Sequence, residues 1–305
     1  MSGLDGYKER FDAVQRERPI LAIPFAVVKK YGDDKGSHLS ALLAYYGFFS
    51  LFPMLLAGFT ILGFVLHGNP SLRHDIGDTL RERLPLPGID VSTMKGSGLA
   101  LVVGLVLAVW SGLGATQVAQ DALNTVWDVP RKDRPTFVRK RLKGLAMLAI
   151  IGTGIVGATV AASAAAFLGP AAGLGGAVLS VLVNAAVIAT LFRLMVERPL
   201  GWGEVRIGAL FGGIGWTVLQ LVGGWYTGRL VDNADKTYGT FAVVIGLLSW
   251  IFLQSQVLVY AAEVASVTSR RLWPRSLDPG RPTDADGRVA EAMVARVLPP
   301  DAVGG

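Results

Sequence analysis

Apolar positions fall in long runs separated by short polar stretches. The first, Leu39 to Leu66, contains no charged residue, and others follow at about Ser97 to Gln117, Leu142 to Leu168, Leu174 to Leu194, Ile207 to Tyr226 and Gly239 to Val267. Each reaches the roughly 20 residues that a helix needs to cross a bilayer core. A lone strand leaves its backbone polar groups unsatisfied in hydrocarbon, and the alternation of about ten residues that marks a membrane barrel does not occur here. The pattern therefore predicts an all-α, polytopic membrane protein with six transmembrane helices.

The polar stretches give the orientation. The amino-terminal tail, the second and fourth connections and the carboxyl tail carry 7, 7, 3 and 6 Lys and Arg, whereas the first, third and fifth connections carry 4, 0 and 2. Basic residues are retained on the cytosolic side, so both ends are expected in the cytosol. This divides the chain into a cytosolic and interfacial segment (1–38), a transmembrane domain (39–268) and a flexible cytosolic tail (269–305). The tail is rich in Pro, Gly, Asp and Arg, and is expected to lack the apolar surface that would order it. Val289, Met293 and Val297 form at most one weak amphipathic set there.

Two short interfacial helices are expected as well. Leu72, Ile76, Leu80 and Leu84 recur every four residues among charges until Pro85 and Pro87 end the pattern. Pro19 to Tyr31 places Lys29 and Lys30 at the expected headgroup level.

Composition agrees with this reading. The chain is 51% hydrophobic and 17% charged, with a mean hydropathy of +0.47, against roughly 25% charged for a soluble domain. The net charge of +6 follows from the topology signal, so no nucleic-acid partner is inferred. Without cysteine, disulfides and thiolate chemistry are excluded, and only His38, His67 and His74 offer imidazole. No cofactor or metal is implied. Met1 to Arg18 has no signal-peptide core, so the first run is expected to act as an uncleaved anchor.

Ionisable groups at membrane depth are the sharpest functional pointers. Asp121 and Glu263 are both expected near the cytosolic ends of their helices. Gln117, Asp121 and Asn124 share one helical face, and Gln256, Tyr260 and Glu263 share another. Two readings are open: a polar cavity between the faces, or interfacial ion pairs with Arg193, Arg139 or Arg141. Arg193, followed by Glu197 and Pro199, is the candidate ion-pair cation, with snorkelling as the alternative. Pro53, after Tyr45, Tyr46 and Ser50, is expected to kink the first crossing and free a carbonyl, as a hinge or a packing irregularity. Gly154, Ala158, Ala162 and Ala165, and Gly208 with Gly212, are small-residue stripes suited to close helix packing, within one chain or between two.

The segments LAYYGFFSLFPML (43–55), DALNTVWDVP (121–130) and YGTFAVVIGLLSWIFLQSQVLVYAAE (238–263) resemble the YihY and virulence factor BrkB family of bacterial inner-membrane proteins. The resemblance spans about 36–269 and implies six membrane helices. Its recurrent positions correspond to Ser50, Pro53, Asp121, Asn124, Trp127, Tyr238, Gly239, Trp250 and Glu263. Ala261, Ala262 and Glu263 stand where Gly-Ala-Glu is usual, and Gln254 and Gln256 make this helix more polar than is typical. Members are linked to serum resistance, to envelope lipid or small-molecule transport and, under an older label, to a ribonuclease. The expectation is a non-enzymatic protein of the bacterial cytoplasmic membrane that transports or handles an envelope lipid or small solute. The alternatives are a scaffold for envelope enzymes and, last, a membrane ribonuclease. Expected partners are membrane lipids and a homo-oligomer or another membrane protein.

Overall fold

The structure, a computed structural model, describes residues 12–15, 17–67, 98–166, 172–237 and 240–297. In chain order the helices are α1 (Pro19–Asp33), α2 (Gly36–His67), α3 (Gly98–Val126), α4 (Phe137–Ala166), α5 (Ala172–Met195), α6 (Trp202–Thr237), α7 (Thr240–Arg270) and α8 (Asp284–Val297). A 3-10 turn at Arg131–Asp133 precedes α4. Every regular element among the described residues is helical.

Among the described residues, five stretches are long and apolar enough to cross a membrane: Gly36–Gly58, Leu101–Val126, Gly175–Met195, Trp202–Gly223 and Val244–Arg270. The fold is thus that of an all-α polytopic membrane protein. The predicted run Leu142 to Leu168 lies largely in α4, whose side chains beyond Gly154 fall outside the described residues. The amphipathic pattern of Leu72 to Leu84, with Pro85 and Pro87, also falls outside them, as do Tyr238 and Gly239.

The chain divides into two compact units, Met1–Tyr45 with Thr116–Gly305, and Tyr46–Ala115. In the smaller unit, α2 and α3 approach closely enough that a Cβ on Gly104 would meet the Ala57 Cα at 3.4 Å. Helix α2 continues through Pro53, and Phe48 meets Phe49 and Phe52 edge-on.

On α6 and α7 of the larger unit, small residues take the close-packed inward positions and most large apolar ones face outward. Ala261, Ala262 and Ala265 of α7 are fully buried, whereas Leu247, Leu248 and Leu253 are exposed. On α6, Gly208 and Gly213 are buried while Leu210, Phe211, Ile214, Val218 and Leu221 are exposed. This is the arrangement expected when lipid is the solvent: hydrocarbon accepts large apolar side chains, so helix contact depends on close backbone approach. A Cβ on Gly213 would lie 2.7 Å from the Val181 carbonyl oxygen of α5. A Cβ on Gly208 or Gly212, the predicted small-residue pair, would meet Ala265 N of α7 at 2.7 Å or Ala261 Cβ at 2.8 Å, so that seam is used within the chain.

Two expectations are corrected. The segment 269–305 is not a flexible tail where it is described: α7 runs to Arg270, and α8 packs Val289 and Met293 against Ala26, Val27, Val267 and Leu272. Polar bonds supply what the apolar surface alone lacked. Thr283 caps α8, accepting from the Asp286 amide at 3.2 Å, while the Asp286 carboxylate accepts from the Thr283 amide at 3.0 Å. This is a reciprocal capping box. The same carboxylate also accepts from Lys29, Arg275 and the Ser276 amide. The second correction concerns Lys30. It is not at a headgroup surface but completely buried, because α1 packs against α7 and α8.

Candidate functional site

The ends of several helices meet in the larger unit, and each end leaves carbonyls or amides without intrahelical partners. Helix α3 closes with Val129 N donating to Asn124 O at 2.8 Å and Asp128 N donating to Thr125 O at 3.0 Å. That is a Schellman closure, which places Asp128 at the left-handed position, φ 54°. Helix α7 ends similarly, with Leu272 N donating to Val267 O at 3.0 Å and Arg271 at φ 52°.

Side chains from other elements satisfy the freed carbonyls of α3. Lys30 Nζ donates to Val126 O at 2.8 Å, Ser266 Oγ to the same oxygen at 3.2 Å, and Arg296 to Thr125 O at 2.7 Å. These donors arrive from α1, α7 and α8, and they bring their charges together.

The result is a buried cluster of three cations and three acids. Lys30 bonds Asp34 and lies 3.3 Å from Glu263 Oε2 and 3.9 Å from Asp128 Oδ2. Arg270 bonds Asp128 at 2.6 Å. Arg296 reaches Asp34 at 2.9 Å and Asp128 at 3.5 Å. Burial pulls the Lys30 ammonium toward neutrality, but Glu263, Asp34 and Asp128 together hold its pKa above the ordinary value. Neither oxygen of Glu263, which is 0% exposed, makes a hydrogen bond. Tyr260, one turn away, stacks on Tyr31 with ring centroids 4.0 Å apart.

Within the larger unit the predicted site residues are not brought to one place. Asp121, with 49% of its side chain exposed, bonds Lys140 at 2.7 Å and approaches Arg134 at 3.9 Å. Glu263 turns instead to α1, so each of these two acids meets a cation from a different element. Asn124 is buried and acts as a brace. Its Nδ2 donates to Gln120 O at 2.8 Å and Met195 O at 3.4 Å, and its Oδ1 accepts from Glu197 N at 2.9 Å. Gln117 and Gln256 are half-buried, and Tyr45 is exposed. Ser50 donates to its own helix at Gly47 O, 2.7 Å.

Arg193 is also corrected. Its guanidinium lies 4.3 Å over the Trp202 ring and its Nε donates to Leu200 O at 2.9 Å, a stacked and capped role rather than an ion pair. Glu197 is held by Lys143 and by Arg139 at 3.5 Å.

Sequence reasoning missed Lys30, Asp34, Asp128, Arg270 and Arg296. The Lys30 and Asp34 spacing of four was a visible helical pair. Asp128 before Val-Pro at a helix end was a visible cap position.

Comparison with known proteins places this architecture in a class. The family model described as Virulence factor BrkB matches residues 27–285, so the chain belongs to that family. Among similar proteins, inner membrane protein YhjD of Escherichia coli (strain K12) is 25% identical over 281 residues, covering 82% of each chain. The putative ribonuclease-like protein YfkH of Bacillus subtilis (strain 168) is 24% identical, covering 79% of this chain and 93% of its own. UPF0761 membrane protein Mpe_A1422 of Methylibium petroleiphilum is 29% identical over 174 residues, covering 54% of this chain and 41% of its own. No solved structure matches. The protein is an integral, multi-pass protein of the bacterial inner membrane.

Proposed function

We propose that the protein transports or handles an envelope lipid or small solute, using a bundle of six membrane helices with both ends in the cytosol. One observation carries the reading: a fully buried glutamate, Glu263, lies within a membrane-crossing helix beside a buried lysine, with no hydrogen bond on either carboxylate oxygen. Such groups are costly in a membrane and cluster at substrate and ion pathways. Cross-links at helix ends support the six-helix topology. The end of α3 bonds the start of α4 through Asp121 and Lys140, and the end of α5 through Asn124 and Met195. Helices α4 and α5 therefore begin and end at the same level, as an outward and a returning crossing do.

The test is reconstitution into vesicles of phosphatidylethanolamine and phosphatidylglycerol, following a fluorescent phosphatidylglycerol and an entrapped small-molecule dye. Wild type is expected to move one of these probes faster than empty vesicles, and Glu263→Gln to lose most of the gain. Equal rates in protein-free, wild-type and variant vesicles would count decisively against the reading.

A second reading, a non-transporting scaffold, is favoured by the one-for-one balance of charges in the cluster, which suits a static frame. Crosslinking in intact cells separates the two: a scaffold recovers stable envelope-protein partners. A ribonuclease role rests on a relative's name, and incubation of purified protein with precursor tRNA and divalent metal tests it directly.

A further inference from the structure

The three acids of the buried cluster are not equally served. Asp34 accepts from Lys30 and from Arg296 at 2.9 Å, and Asp128 accepts from Arg270 at 2.6 Å. Glu263 has only the Lys30 ammonium, at 3.3 Å and without a hydrogen bond. Two of the three N–H groups of Lys30 are already given to Asp34 and to Val126 O.

The groups around this carboxylate come from every packed element. Lys30 and Tyr31 lie on α1, with Asp34 just beyond it; Asp128 follows α3; Tyr260 and Arg270 lie on α7 itself; Arg296 comes from α8. Arg270 is committed to Asp128, and Arg296 to Asp34 and Thr125 O. No second cation among the described residues stands ready for Glu263. Any movement of α1 that withdraws Lys30 would strand a buried carboxylate, a state that costs several kcal/mol and is normally avoided by neutralisation.

We propose that Glu263 is a proton-binding site, taking a proton from water when Lys30 leaves it and releasing the proton when Lys30 returns. The inference rests on the transport reading for its purpose, since it names the proton as the coupling ion. The step is balanced: hydronium and the carboxylate give water and the neutral carboxyl, and the O–H bond breaks again on return of the ammonium. The proton replaces the lysine's charge at the cluster, and the protein as a whole gains one positive charge in the protonated state. The design resembles a tethered counter-ion, in which lysine and proton occupy the same carboxylate by turns.

Infrared difference spectroscopy on the purified full-length protein, titrated between about pH 5 and about pH 9, tests this without any substrate. The expected result is a protonated-carboxyl band in wild type that disappears on titration and is absent in Glu263→Gln. In Lys30→Met the band should persist to higher pH, because the competing ammonium is gone. If Glu263→Gln fails to fold, isotopic labelling of glutamate carboxyls in the unsubstituted protein assigns the band instead, a carboxyl without a hydrogen bond absorbing at the high-frequency edge. A wild-type protein with no titrating glutamate band would overturn the proposal, whether or not Lys30→Met shows one. A silent vesicle assay with the band present would sink transport and leave the proton site standing.

Discussion

Asp128 shows at a single residue how the site is held. Its backbone occupies the left-handed region at φ 54°, where a residue with a Cβ is disfavoured by about 1–2 kcal/mol and glycine is the usual occupant. The carboxylate explains why aspartate stands there, since it receives Arg270 and faces Lys30 and Arg296. Asp128→Gly relaxes the backbone but leaves buried guanidinium groups underpaired, a loss of about 3–5 kcal/mol when one partner of a buried pair is removed. The second effect is larger, so Asp128→Gly is expected to be less stable than wild type by about 2 kcal/mol. Asp128→Asn should fall on the same side. Thermal unfolding in detergent checks this, and a glycine variant that melts above wild type would show that the cluster does not stabilise the fold.

At the scale of elements, α8 is held through Asp286 as well as through its apolar face. Burial alone would raise this carboxyl, but donors from Lys29, Arg275, Ser276 and Thr283 hold it well below its ordinary value of 3.8. A depressed carboxyl contributes stability that is complete above the ordinary value and is lost as pH falls through the lowered one. Helix α8 is therefore expected to stay docked at neutral pH and to loosen in acid below about pH 4, whereas Asp286→Asn should be loosened already at neutrality. Hydrogen exchange over 272–297 reads both, and acid-independent protection in wild type would contradict the assignment. The element was partly legible. Thr283 and Asp286 stand three apart ahead of Val289 and Met293, a capping-box spacing. Composition hid it, because a polar segment was weighed by apolar burial alone while hydrogen bonds to α1 and to the turn at Arg275 and Ser276 add to its small apolar contact.

At the scale of the molecule, apolar run length revealed the membrane helices because the bilayer imposes a minimum length, and this survives without any knowledge of partners. Which acid meets which base was not legible: the Arg270 and Asp128 pair joins positions 142 apart, and Arg296 reaches Asp34 across 262. A helical period assigns a face but not the neighbour opposite it, so Asp121 and Glu263 looked like companions although α4 claims one and α1 the other. The packing of α6 between α5 and α7 tests the whole arrangement. A Cβ on Gly208 would meet Ala265 N at 2.7 Å and collide with the Ala261 carbonyl oxygen, and one on Gly213 would meet Ala185 N at 2.9 Å, whereas Gly203 has nothing within 4 Å. Backbone atoms cannot rotate away as a side chain does, so α6 must shift. Gly208→Ala and Gly213→Ala are therefore expected to cost about 1–3 kcal/mol each, while Gly203→Ala stays within about 0.5 kcal/mol of wild type. If all three melted together, the inward seam of α6 would not be where the bundle is closed.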